Sequence, residues 1–265
     1  MKIANEYNHL NAREFLIVNR SSEFEEIKQS IRQIDANRFL KISCEIPKLG
    51  QVFYSQSKIN AAFKDLLNGL GWRERRVSYY VTDDAQTMRD IIAIHDKKQQ
   101  KQRIEEKGFQ AYLSNNQVDF QKERIAVEVQ FGKYFSVAYD LHVKHTFFYS
   151  RNDIDVGVEI IPTKAMEEHM DTGVPWFENE IANVIREGRT NPPVPVLMLG
   201  IEPDLIQSRE ADDYSDAEYM DILRNSDINK VKSQIAKAEN KNINQVTQNR
   251  IDKIKNCLKI MGKWE

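Results

Sequence analysis

The sequence lacks several features that would assign it to common protein classes. Its two cysteines, Cys44 and Cys257, lie far apart with no paired spacing, so neither a disulfide framework nor a zinc site is indicated. No apolar run approaches the roughly 18 residues that span a bilayer, and the first residues contain no signal-peptide core. We therefore expect a cytoplasmic protein with no membrane partner.

Nucleotide-binding motifs are missing as well. The chain has no G-x-x-x-x-G-K-S/T stretch, and GLGW at 69–72 lacks the rest of a dinucleotide fingerprint. Of the five histidines, His142 and His145 are three residues apart, but no cysteine or third histidine accompanies them. We interpret both as packing or surface residues, and we expect no nucleotide cofactor.

Charge is nearly balanced, with a net value of -2, but it is unevenly distributed. Residues 202–221 contain eight acidic residues and one arginine, whereas residues 224–265 contain ten Lys or Arg against four Asp or Glu. This switch predicts a main domain over 1–203, an acidic linker over 204–222 and a basic helical extension over 223–265.

Apolar residues recur at helical spacing in some stretches and in strand-like runs in others. Predicted helices cover 23–34, 59–72, 88–108, 136–149 and 176–189, and three more follow Pro203. Predicted strands cover 75–84, 117–120, 125–131, 155–162 and 194–202, and the second and third of these form a hairpin. The predicted fold class is α/β, a mixed β-sheet flanked by helices, with a small C-terminal all-helical extension.

The stretch IAVEVQFGKY at 125–134 points to chemistry. Side chains alternate across a strand, so Glu128 and Gln130 project together, away from the apolar set. Asp119 lies on the preceding strand of the hairpin, where it can face Glu128. Two carboxylates and one backbone carbonyl, that of Val129, would suit a hard cation such as Mg²⁺, which keeps several of its own waters. The alternative is that both acids are charges on a solvated sheet face.

A resemblance favours the first interpretation. NQVDFQKERIAVEVQFGKY at 116–134, with the following FSVAYDLHVKH and IDVGVEIIP, resembles the BglII/BstYI group of Type II restriction endonucleases, particularly its BstYI branch. The similarity continues in matching order from YNHLN at 7–11, through GWRERRVSYYVT at 71–82, to VPVLMLGIEP at 194–203. It covers about three quarters of the chain, so 1–203 would be the catalytic and DNA-recognition domain.

The resemblance implies a restriction-endonuclease-like fold, a PD-(D/E)XK-type site, Mg²⁺ and a homodimer acting on double-stranded DNA. By position, Asp119 matches the first carboxylate and Glu128 the second. Gln130 stands where most of the superfamily has lysine, a departure that the group shares. Glu26 matches an additional helical carboxylate, although the neighbouring Glu25 leaves the register open by one residue. Gln130 and Glu26 would position a water for in-line attack, activated by the cation.

Two residues are candidates for reading bases. Lys133 directly follows the catalytic strand and could donate to guanine, or it could be a surface lysine that contacts only phosphate or solvent. Thr172, in MDTGVPW, stands where the resembled enzymes place a small base-contacting group, or it could cap the helix at 176–189. The resemblance implies a palindrome with a central GATC, plausibly RGATCY, cut to leave 5'-phosphate ends and a four-base 5' overhang.

Three matters stay open from the sequence. The dimer interface could involve the helix at 59–70 or the segment near 136–149. The extension could be a helix-turn-helix-like DNA contact through Gln245, Thr247, Gln248, Asn249 and Arg250, or a helical cap or dimer clasp. The function could instead be that of a structure-specific repair or recombination nuclease, or of a non-catalytic DNA-binding protein on the same core.

Overall fold

The structure is a computed structural model that describes residues 1–241 and 243–264. Asn242 and Glu265, both inside the predicted extension, lie outside the described residues. Eight strands occur in the described part of the chain: β1 (Lys2–His9), β2 (Leu40–Ile42), β3 (Val52–Tyr54), β4 (Arg73–Val81), β5 (Tyr112–Lys122), β6 (Ile125–Val129), β7 (Val156–Pro162) and β8 (Val196–Glu202).

Helices occupy most of the remaining chain. Between β1 and β5 lie α1 (Ala12–Asn19), α2 (Ser21–Gln33), α3 (Gln56–Gly69), α4 (Ala85–Ile91) and α5 (Lys97–Glu106). After β6 come α6 (Ser136–Tyr139), a π-helical turn (Asp140–His145), α7 (Thr146–Ser150), α8 (Lys164–Glu167) and α9 (Phe177–Glu187). The C-terminal helices are α10 (Asp216–Arg224), α11 (Ile228–Glu239) and α12 (Gln245–Ile260).

Six strands form one mixed sheet in the order β1-β8-β7-β6-β5-β4. The central strands β6, β7 and β8 are parallel, β5 and β4 continue the sheet antiparallel on one side, and β1 closes the other side antiparallel to β8. Strands β2 and β3 pair separately as a short antiparallel hairpin. The predicted α/β class with a mixed sheet is therefore confirmed.

The sheet is covered on both faces, which explains why its central strands β6 and β7 are entirely buried. Alternate residues of β6, β7 and β8 pack on one face against α1, α2 and α3, in the largest core cluster. The opposite face packs against α9 and the α6–α7 segment in two smaller clusters. The candidate site lies on this second face of β6.

The hairpin between β5 and β6 forms as predicted, with a turn of two residues. Glu123 and Arg124 both adopt positive φ, at 44° and 64°, the backbone form that a two-residue hairpin turn needs. Neither is glycine, so the turn is strained. The Arg124 guanidinium holds it by donating to the Asp155 carboxylate at 2.7 and 2.9 Å and to the Asn152 side chain at 2.7 Å.

The C-terminal extension folds onto the β2–β3 hairpin. Helices α10, α11 and α12 were all predicted, and together they bury a core of their own with Ile42, Leu49 and Val52 from the hairpin region. Helix α10 begins within the range predicted as a linker and ends just beyond it, at Arg224, and it starts with a capping box made by Ser215 and Glu218. None of the described helices is both long and apolar enough to cross a membrane.

Candidate active site

The two polar residues of the central strand project to the same face. Val127 and Val129 point into the large core beneath α2 and α3, whereas Glu128 and Gln130 point the other way. Glu128 is fully buried and Gln130 is only 7% exposed. The alternative that Glu128 is a charge on a solvated sheet face is therefore wrong, because burying a carboxylate requires partners that compensate for its lost hydration.

The partners come from the segment that covers this face. Lys144 places Nζ 3.1 Å from Oε1 of Glu128 and 2.7 Å from Oδ1 of Asp140. The amide of Gln130 donates to the other carboxylate oxygen of Asp140. Glu128, Gln130, Asp140 and Lys144 are thus joined through direct contacts, and we call these four residues the Glu128 network.

The π-helical turn Asp140–His145 determines which side chains reach the sheet. A π turn holds about one residue more than an α turn, because its hydrogen bonds run to the fifth residue. Lys144 and His145, four and five positions after Asp140, can therefore both lie on the same side of the turn as Asp140. All three side chains point at the sheet, and Asp140 and His145 are buried.

A second buried pair lies on the neighbouring strand. Glu159 is the β7 partner of Glu128 in the parallel ladder, and its Oε1 shares a 2.8 Å hydrogen bond with Nε2 of His145. Burial raises the pKa of the Glu159 carboxyl well above its usual value and lowers the pKa of His145 to about 3. Both directions favour a neutral acid paired with a neutral imidazole, so this pair is structural and His145 is the packing residue that the sequence suggested.

The electrostatics of the network are dominated by burial. Burial, followed by the negative charges of Asp140 and Asp119, raises the pKa of Glu128 well above its ordinary value, against the opposing effect of Lys144. The pKa of Asp140 rises to about 6, again first through burial. Burial alone would lower the pKa of the Lys144 ammonium, but the Glu128 and Asp140 carboxylates outweigh it and raise that pKa.

Asp119 lies where β5 and β6 separate. The ladder pairs Phe120 with Val127 and stops there, one residue short of an Asp119–Glu128 pair. In place of a ladder bond, the Val129 amide donates to Oδ2 of Asp119 at 3.3 Å. Asp119 and Val129 then line a cavity of 170 Å³ together with Asn60, Lys64, Asn68, Glu74 and Phe120. Asp119 thus meets the Val129 backbone at the end of the hairpin ladder, whereas Glu128 is not among the residues that line this cavity.

The donor atoms fit a divalent cation. Within the described chain, Oε2 of Glu128 is buried and has no hydrogen-bond partner, so it is an orphaned acceptor that a hard cation would satisfy. Asp119 adds a second carboxylate close enough to raise the pKa of Glu128. No three His, Cys, Asp or Glu side chains converge as a ready metal site among residues 1–241 and 243–264. The donors therefore fit an ion that draws its other ligands from water or substrate.

The fourth predicted residue has different neighbours. The Glu26 carboxylate accepts from Lys122 Nζ at 2.7 and 2.8 Å and from the Trp72 indole at 2.8 Å. These are its side-chain partners in the described structure, and Asp119, Glu128 and Gln130 are not among them. Glu25, in contrast, pairs with Lys28 and Arg32 on the outer side of α2. Of the two neighbouring acids, Glu26 is the one that faces the sheet.

The two predicted base-reading residues both lie on the surface. Lys133 is exposed after the end of β6, with Nζ 5.9 Å from the ring centre of Phe135. Thr172 is bound by the Glu45 carboxylate, which accepts from its amide and its hydroxyl at 2.7 Å each. Its alternative role as a helix cap is wrong, because α9 begins after Trp176.

Sequence reasoning missed three residues around the site, namely Asp140, Lys144 and Glu159. Glu159 could have been found, since it is the one acid within the apolar run of β7. Asp140 and Lys144 are four residues apart, which on a helix suggests a shared face. Nothing in the local sequence indicated the π turn that brings His145 to the same face.

Comparison with known proteins identifies the family. The family model described as "Restriction endonuclease BglII/BglIII" matches residues 4–201. No curated protein matches the chain. A crystal structure of restriction endonuclease BglII complexed with a DNA 16-mer is similar, with a TM-score of 0.53 and 17% identity over 77% of this chain and 78% of that one.

A structure of free BglII is similar with a TM-score of 0.48 and 16% identity, over 77% of this chain and 81% of the other. At 17% identity, the likeness to the DNA-bound structure speaks for the fold alone, whereas the family match spans most of the sequence. From that match, the chain belongs to the BglII/BglIII family of restriction endonucleases, which are Type II site-specific deoxyribonucleases.

Proposed function

We propose that this enzyme makes Mg²⁺-dependent double-strand cuts in DNA at a short palindrome with a central GATC, namely the RGATCY of the BstYI branch. The products would carry 5'-phosphates and a four-base 5' overhang. The observation that carries the proposal is Oε2 of Glu128, which is buried without a hydrogen-bond partner among the described residues and which feels the charge of Asp119, in a member of a DNA-cutting family. We place the activity in the cytoplasm as part of a restriction-modification system, because such an enzyme needs a methylated host genome.

The proposed roles follow from the donor atoms. Asp119, Oε2 of Glu128 and the Val129 carbonyl would hold the cation, which supplies Lewis acidity and neutralises charge on the scissile phosphate. The carbonyl oxygen of the Gln130 side chain can orient the attacking water, because its amide nitrogen is already committed to Asp140. For Glu26, water positioning stays a proposal that requires the Lys122 and Trp72 contacts to loosen.

DNA recognition is proposed at two surface positions. Lys133 is free to donate to guanine O6 and N7 in the major groove, since it is exposed. The Thr172 hydroxyl can also reach a base edge, but only by exchanging its bond to Glu45. The free energy of base recognition by Thr172 would then include the cost of breaking its hydrogen bond to the Glu45 carboxylate.

A homodimer is proposed because a palindrome offers two equivalent half-sites to one twofold assembly. Of the two candidate elements, the segment near 136–149 is favoured. Phe135, Tyr139 and Val143 recur at fourth positions there, and all three are exposed. In α3, the large apolar side chains face the core instead.

We further propose that 1–203 is the catalytic and recognition unit and that the C-terminal helices are a cap on it. Thr247 and Arg250, two of the five polar residues suggested for DNA contact, are buried in α12. Gln245 and Gln248 are bonded within the helix, to Asn249 and Asp252. The packing onto β2–β3 supports the cap, while a DNA contact by the exposed Gln245 and the half-buried Gln248 remains the alternative.

Cleavage of plasmid DNA tests the function. With Mg²⁺ we expect discrete fragments whose mapped ends lie at GATC-centred palindromes; smearing would favour a structure-specific nuclease, and no cutting would favour a non-catalytic DNA-binding protein. Asp119→Asn and Glu128→Gln should abolish cutting yet keep specific binding in Ca²⁺. A fully active Asp119→Asn variant would refute the site.

A further inference from the structure

The position that most of the resembled superfamily fills with lysine holds Gln130 here, which carries no charge. An amide can orient a water, but it cannot offset negative charge as an ammonium does. Asp119, Glu128 and Asp140 bring three carboxylates to this region. A cationic side chain is therefore needed beside the strand, and β6 itself does not supply one.

Lys144 supplies that charge from a different element. Its Nζ contacts Glu128 at 3.1 Å and Asp140 at 2.7 Å, while its side chain keeps 19% exposure. The same Asp140 carboxylate accepts from the Gln130 amide. The ammonium therefore lies in one hydrogen-bonded network with the side chain at the lysine position, although it starts 14 residues later in the sequence.

The contact engages one oxygen of Glu128 and leaves the other free. Lys144 binds Oε1, whereas Oε2 has no partner in the described chain. A carboxylate held through one oxygen cannot rotate without breaking a charge-assisted hydrogen bond in a buried setting. The free oxygen is consequently held in one direction.

From this geometry we infer that Lys144 is a positioning residue for DNA cleavage, taking the place of the lysine that Gln130 replaces: it fixes Glu128 through Oε1 so that Oε2 is presented to the divalent cation. The inference rests on the proposed function. The π-helical turn then supplies the cationic side chain of the site. The same turn also places His145 against Glu159, so both buried contacts depend on it.

Lys144→Gln tests the inference with two readouts. Single-turnover cleavage at saturating Mg²⁺ should fall by about 100-fold, the usual effect of losing one charge-stabilising group. Mn²⁺ affinity without DNA, measured by calorimetry, should fall several-fold as well, because Oε2 of Glu128 is no longer held towards the cation. Lys101→Gln, which removes an ion-paired lysine from α5, should change neither value.

Moving the charge back to the strand provides the second variant. Gln130→Lys combined with Lys144→Gln returns one ammonium to the network, at a position already in contact with Asp140. This double variant should cleave at least tenfold faster than Lys144→Gln alone. A double variant no faster than the single one would contradict the substitution of one residue for the other.

Folding is controlled separately, because Lys144→Gln leaves buried carboxylates without their cation. Asp140→Asn combined with Lys144→Gln removes one charge of each sign, so it should fold and should still lose cleavage. Wild-type cleavage rates in this variant would overturn the inference, as would wild-type rates in Lys144→Gln. Unchanged Mn²⁺ affinity in folded Lys144→Gln would show that Lys144 does not present Oε2 to the cation.

The activity of the unsubstituted enzyme separates a failure of the proposed function from a failure of the positioning role of Lys144. If it fails to cut DNA, the proposed function fails, whatever the variants do. If it cuts, Asp119→Asn does not, and Lys144→Gln still does, then the positioning role alone is wrong.

Discussion

Gly157 shows how closely the buried pair behind the site is packed. A Cβ atom at this β7 position would lie 2.8 Å from ring atoms of His145. The imidazole therefore rests on the bare backbone of the strand, and from there it reaches Glu159 at 2.8 Å. Glycine is required here because of the close approach of a ring, and the backbone itself needs no left-handed conformation.

Gly157→Ala should accordingly lower the free energy of unfolding by about 1–3 kcal/mol, the usual cost of overpacking a core. Gly69→Ala is the matched control, since Gly69 ends α3 with no atom within 4 Å of the place that an added methyl would occupy, and it should be neutral or slightly stabilising. Urea unfolding measures both. Equal stabilities for the two variants would mean that the ring can move aside at little cost.

At single positions, the sequence was informative where the alternation of side chains along a strand determines which face of the sheet a residue occupies. Strand alternation placed Glu128 and Gln130 on one face, and the structure has them there. It could not place Lys144, because a helix becomes a π turn through tertiary packing and not through any local motif. It also paired Asp119 with Glu128 across the ladder, whereas the strands separate one residue earlier.

Among the elements, the helix-strand-helix centre was predictable because long periodic runs are strong signals. Strands β2 and β3 were not predicted, since each has three residues and no room for a pattern. Strand β1 was missed because it is an edge strand whose side chains are largely exposed. The charged stretch 88–108 predicts one helix, but α4 and α5 are separate, with Asp96 capping the second.

The α6–α7 segment allows a test of the proposed dimer. Val143→Glu places a charge among its exposed apolar side chains, and desolvating that charge in an interface should shift the enzyme to monomers in sedimentation velocity. Val18→Glu is the control, because Val18 is 78% exposed on α1, which packs on the other face of the sheet. A Val143→Glu protein that stays dimeric would exclude the segment as the interface.

Across the full chain, the C-terminal helices complete the core of the N-terminal part. Removing residues 204–265 would uncover Ile42, Leu49 and Val52, which are buried by those helices. We expect a lower melting temperature and a tendency to aggregate, with the mapped cut sites unchanged, because the two residues proposed to read bases, Lys133 and Thr172, lie outside the deletion.

Leu258→Ala in the intact chain is the milder counterpart of this deletion. It opens a cavity in the same core and should cost about 2–5 kcal/mol. A truncated enzyme as stable as the intact one would contradict the cap, and altered cut sites would assign recognition to the extension.

The pairing of β2–β3 with α12 also affects how the enzyme is made. Ile42 and Leu49 leave the ribosome about 200 residues before Ile254 and Leu258, their companions in one core. At about 5–20 residues per second, the hairpin waits roughly 10–40 s for its cover. During that interval the growing chain exposes an apolar patch, and its demand for chaperones should follow the speed of translation between Leu49 and Ile254.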